Sequence, residues 1–135
     1  MQPTASREEE TISADQDAIT AAQAAAAAIA DKKGEAIALL DVSELVVLTD
    51  VFVIASGSTS RQVKSLVEEV EHQLKAHLER RPLRREGEDH NRWVLLDYGD
   101  IVVHVFDTET RDFYDLERLW ADAPRIHFDQ VAAEA

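Results

Sequence analysis

The chain has 135 residues, 45 % of them hydrophobic, which suits one domain around a single core. Its formal net charge of −13 excludes ready association with phosphate backbones unless the 14 basic residues are concentrated in one place. Cysteine is absent, so there is no disulfide framework and no thiolate metal site. No apolar run approaches the ~20 residues of a membrane span. The polar, acidic start lacks the pattern of a secretory signal, which leaves a cytoplasmic protein away from the membrane as the simplest expectation.

Residues 1–12 read as a flexible acidic tail, 13–123 as the domain, and 124–135 as a loosely ordered end. Ser13 is placed to cap a helix, with Asp15 and Asp17 in its first turn. The alanine-rich run that follows has high helix propensity, with Ile19, Ala22, Ala26 and Ile29 at helical spacing. Lys32 and Lys33 suit its last turn and Gly34 its stop. Ala36–Val42 reads as a buried strand, and Leu45–Ser56 as a strand or two pieces around Thr49-Asp50.

At Ser56–Arg61, "SGSTSR", an apolar run ends in a glycine and a cluster of hydroxyls. An amphipathic helix follows, carried by Val63, Leu66, Val67, Val70, Leu74 and Leu78, and Pro82 ends it. Nucleotidyltransferases hold a triphosphate with a Gly-Ser pair before a helix, but they need two or three carboxylates on adjacent strands for Mg²⁺. Here the next strand offers only Asp97, with Asp100 in a turn and Asp107 at the far end of the return strand. The Walker lysine is also absent. Ser58, Thr59 or Ser60 serves equally as a helix cap, with residual anion binding as a lesser role. His72 and His77 are misaligned for one metal, and His90, His104 and His127 stand apart. The sequence therefore predicts neither an enzyme nor a cofactor or metal site.

The arginines of "ERRPLRRE", Glu79–Glu86, are flanked by acids and lack interleaved aromatics, which favours a solvated helix end over a nucleic-acid contact. Trp93–Asp107 reads as a hairpin turning at Gly99-Asp100. That register puts Val94, Leu96, Tyr98, Ile101, Val103 and Val105 on one apolar face. The other face carries Trp93, Leu95 and Asp97 opposite Phe106, His104 and Val102. Two readings stand for this mixed face. Helices cover it and Asp97 and His104 satisfy local hydrogen bonds, or it is a docking surface anchored by Trp93 and Phe106. Arg111–Trp120 reads as a short helix with Phe113, Leu116, Leu119 and Trp120 inward. Together these elements predict an α/β (α+β) domain with a mixed sheet of about five strands flanked by helices.

"DVFVIASGSTSRQV", Glu86-Gly87, "WVLLDYGDIVVHVF" and "RDFYDLERLW" together resemble the bacterial ribosomal silencing factor family, also found in mitochondria and chloroplasts. The likeness covers about residues 17–123; Val51 departs from it, standing where an aromatic is expected. The resemblance implies a nucleotidyltransferase-like fold without the catalytic carboxylates and no cofactor. It also implies binding to large-subunit ribosomal protein fourteen on the large ribosomal subunit. That would block joining of the small subunit and repress translation when nutrients are scarce. A homodimer off the ribosome, with little direct nucleic-acid contact, is implied too. An acidic domain suits such a basic partner. The expected contacts are Trp93, Leu95, Asp97, His104 and Phe106, with Tyr98 at the tip and Tyr114, Glu117 and Arg118 on the last helix. The alternatives are a nucleotide-handling enzyme at the Gly57 turn and a non-ribosomal dimeric adaptor.

Overall fold

A computed structural model describes residues 11–128. Its first helix, α1, Gln16–Asp31, buries Ala18, Ala21, Ala22, Ala25, Ala26 and Ala28. Small side chains there let the helix lie close to its neighbours, so the alanine run is a packing face. Asp15, not Ser13, caps it, accepting from the Asp17 N–H at 3.0 Å. The Ser13 N–H is taken instead by the buried Asp41 carboxylate at 2.7 Å. At the other end Lys33 adopts the left-handed conformation, φ 69°. Gly34 is required for space: a Cβ there would lie 2.2 Å from Ile29 Cγ2.

The sheet comprises β1 (Glu35–Asp41), β2 (Val51–Gly57), β3 (Arg84–Glu86), β4 (Trp93–Asp97) and β5 (Ile101–Asp107), in the order β1-β2-β5-β4-β3. The β2/β5 pair is parallel and the others antiparallel. Strand β2, flanked by β1 and the central β5, is buried along its whole length, as a strand covered on both faces must be. Pairing starts only at Val51. The N–H groups of Leu45 and Val46 both turn back to the Val42 carbonyl, so the apolar run Leu45–Leu48 leaves the sheet, and Leu45, Val47 and Leu48 face outward.

Helix α2, Ser60–Leu78, crosses from β2 towards β3 and buries Val63, Leu66, Val67, Val70 and Leu74. With α1 it covers one face of the sheet. The hairpin has the expected register: Trp93 opposes Phe106, Leu95 opposes His104, and Asp97 opposes Val102. Gly99 supplies the positive φ, +95°, that its turn requires.

The expected single helix over 111–120 is two. Helix α3, Thr108–Tyr114, is capped by Asp107, whose side chain accepts from the Thr110 N–H. Helix α4, Leu116–Leu119, follows a joint at Asp115, which is left-handed at φ 49°. The loosely ordered end does not start at 124. Asp41 N–H donates to the Pro124 carbonyl, and Ile126 N–H to that of Leu39. These bonds lay the chain along the β1 edge with Ile126 buried. Residues 1–10 and 129–135, most of the two expected tails, lie outside the described residues.

Candidate docking surface

The second face of the sheet decides which hairpin residues a partner can reach. Leu40, Val42, Phe52, Ile54, Val102 and Phe106 pack there against Leu116, Trp120 and Ala123. The cover is therefore the α4 segment, and the face is not an open platform. Phe106 is 0 % exposed and His104 5 %, which corrects the expectation that both touch a partner. They form the floor beneath Trp93. The indole stacks on Phe106 with centroids 4.8 Å apart, and its Nε1–H donates to His104 Nδ1 at 3.1 Å. An Nδ1 that accepts places the ring proton on Nε2, and this Nε2 is buried without a hydrogen-bond partner among the described residues. Burial pushes the His104 pKa down to about 4, so the ring is neutral near pH 7.

Tyr98 is corrected likewise. It is 4 % exposed and belongs to the core under α1 and α2. Burial raises its pKa. Asp97 is half-buried and engaged within the chain: it accepts from the Gly99 N–H at 2.8 Å and pairs with Arg84 at 3.3 Å. Glu117 faces Arg111 and Arg125. Trp93 and Leu95 are half-buried at the edge of the second core, and Tyr114 and Arg118 are exposed.

The residues missed by the sequence reading are on α3 and α4. Phe113 and Leu119, expected inward, are 80 % and 72 % exposed. In one continuous helix Phe113 would share a face with Leu116; the left-handed joint at Asp115 breaks that alignment, and Leu119 stands exposed at the end of the four-residue α4. Asp107, three residues before Thr110, was the available cap signal for an earlier helix start. Tyr114 leans on Trp93 with centroids 4.9 Å apart, and Phe113 meets Tyr114 edge-on at 5.0 Å. The three aromatics wall a cavity of about 530 Å³. Glu109 also lines a neighbouring cavity of about 770 Å³ with Asp107 and Asp112. The result is an aromatic ledge, exposed at Phe113 and Tyr114, bordered by the carboxylates of Asp107, Glu109 and Asp112 together with Arg92 and His90.

The Ser58 and Thr59 hydroxyls of the Gly57 turn are spent on the helix. Thr59 Oγ1 accepts from the Gln62 N–H at 3.0 Å, and Ser58 donates through both its N–H and its hydroxyl to Gln62 Oε1. Among the described residues no group of three or more His, Asp or Glu is placed to hold a metal. Three of the clustered arginines are paired: Arg80 with Asp100 at 2.6 Å, Arg84 with Glu86 and Asp97, and Arg85 with Glu71. No described helix is long and apolar enough to cross a membrane.

The family model described as ribosomal silencing factor during starvation matches residues 15–135. The chain belongs to the ribosomal silencing factor family. It is 38 % identical over 112 residues to the ribosomal silencing factor RsfS of Halalkalibacterium halodurans, across 81 % of this chain and 92 % of that one. A crystal structure of a Chromobacterium violaceum protein matches with a TM-score of 0.73 at 39 % identity, over 76 % of this chain and 85 % of the other. The mouse protein named for mitochondrial assembly of the ribosomal large subunit is 38 % identical over 87 residues, which is 62 % of this chain and 37 % of the mouse protein. The family-like strings of the hairpin and the last helices thus converge on one place, Trp93 and the α3–α4 corner that leans on it.

Proposed function

We propose that the protein is a translational silencer that binds the large ribosomal subunit through ribosomal protein fourteen and sterically blocks joining of the small subunit. The observation that carries this reading is the ledge formed by the exposed Phe113 and Tyr114 against the half-buried Trp93. Large aromatics left in water on a stable domain are characteristic anchors of an interface, and the three carboxylates at their border, which outnumber Arg92 there, suit a basic ribosomal protein. Family membership supports the ribosome as the target, and the name of the mouse relative supports its large subunit. The mechanism is occlusion in the cytoplasm, with no bond made or broken and no cofactor. Off the ribosome the same apolar residues are available to a second copy of the chain, which supports a homodimer as the resting form. The test mixes purified small and large subunits with the protein and resolves them on a density gradient. Fewer joined particles as the protein is added is the expected result. Unchanged joining at saturating protein would overturn the reading.

A further inference from the structure

Phe113 and Tyr114 of the ledge stand on α3, with α4 close behind, and helices of seven and four residues do not hold themselves together. What joins them is a buried arginine. Arg111 is on α3, with its side chain only 8 % exposed. Its Nη1 donates to Ser56 Oγ on β2 at 2.8 Å. Its Nε and Nη2 both reach Glu117 Oε1 on α4, at 3.1 Å and 2.9 Å. The other oxygen of Glu117 faces Arg125 Nη2 at 3.8 Å. The guanidinium therefore ties α3 to the sheet and to α4, across the left-handed joint at Asp115. Phe113 and Tyr114 lie within one turn of Arg111, and Leu119 lies beyond the joint.

An ion pair between a buried arginine and a half-buried glutamate is an inefficient way to gain stability. Taking the guanidinium, and part of the Glu117 carboxylate, out of water offsets much of their attraction, and well-packed apolar side chains often do as well. What such a pair supplies is direction, because a guanidinium fork fixes the positions of its partners. We propose that Arg111 is a positioning residue that sets the angle between α3 and α4, so that Phe113, Tyr114 and Leu119 are presented to the partner as one surface. This rests on the docking role proposed above. Arg111 does not itself meet the partner; it acts through the aromatic groups it orients.

The test separates affinity from stability. In the full chain, Arg111→Met combined with Glu117→Leu removes both charges and leaves no buried ion uncompensated. Arg111→Lys keeps the charge and loses the fork. The double variant is expected to melt at the wild-type temperature, to bind isolated large subunits about ten-fold more weakly, and to show faster amide exchange at residues 112–119 with β2 unchanged. Arg111→Lys is expected to move both readouts the same way by a smaller amount. A double variant with wild-type affinity and wild-type exchange would overturn the proposal. If it does not fold, Arg111→Lys decides on the same readouts. If wild type fails to bind large subunits, the docking role falls and the positioning role falls with it. Bound wild type with an unaffected variant removes the positioning role alone.

Discussion

His104 makes the folded protein acid-sensitive in a window that can be worked out from its surroundings. Its ring lies under Trp93, Phe52 and Phe106, and no ionised group is bonded to it. Desolvation alone moves its pKa from 6.5 to about 4. The folded pKa lies below the unfolded one, so between these values the unfolded chain binds a proton that the folded chain refuses. Stability is therefore full above pH 6.5, falls as pH drops towards 4, and levels off below. Across that span the loss approaches about 3 kcal/mol. Protonation also gives Nδ1 a hydrogen, which ends its acceptance from Trp93 Nε1 and loosens the indole under Tyr114. The assay is urea unfolding at half-unit pH steps from 4 to 7.5 for wild type and His104→Gln. The variant keeps a neutral side chain with an acceptor, and the remaining titrating groups are common to both proteins. Wild type should lose stability relative to the variant as pH falls through this window. Parallel curves, or a ring that titrates near 6.5 by NMR, would refute the account of a dry, neutral histidine.

Asp41 gives a second pH signature. Desolvation would raise its pKa, but hydrogen bonds from Ser43, Ser13 and Ala14 together outweigh it and the pKa is lowered. Its contribution is present above the ordinary carboxylate pKa and is lost as pH falls through the folded value. Asp41→Asn should cost about 2 kcal/mol and speed amide exchange at Ser13 and Ala14; unchanged exchange there would contradict the tether. Gly34→Ala should destabilise by about 1–3 kcal/mol through the clash with Ile29, with wild-type melting as the contrary result. Trp93→Ala should lower stability as well as binding, because the indole stacks on Phe106. A variant that loses binding at wild-type stability would place Trp93 wholly in the interface.

The parts of the fold legible in the sequence are those fixed locally. Gly99 has the one residue type its turn tolerates, so the Trp93–Phe106 register could be read residue by residue. Apolar spacing from Val63 to Leu74 marked the buried face of α2 in the same way. The errors lie where composition does not show a backbone turn or a covering segment. Leu45–Leu48 has strand composition, yet the Val42 carbonyl draws two N–H groups back and ends pairing. The mixed face of the hairpin has composition for docking, yet Leu116, Trp120 and Ala123 cover half of it. The helical periodicity of Arg111–Trp120 assumes one axis, and a left-handed Asp115 gives it two. That single joint takes Phe113 out of line with Leu116 and to the surface, and with it the centre of the candidate site.

The measurement closest to the central claim is co-sedimentation of the protein with isolated large ribosomal subunits, with Phe113→Ala alongside wild type. Phe113 is 80 % exposed and its ring meets that of Tyr114 at the surface, so its loss leaves the core intact. If the aromatic ledge is the docking surface, wild type binds and the variant, equally stable, binds about thirty-fold more weakly, the effect of losing ~2 kcal/mol at an interface anchor. Equal affinity of the two proteins would place the docking surface elsewhere on the domain, and no binding by either would contradict the ribosomal role itself.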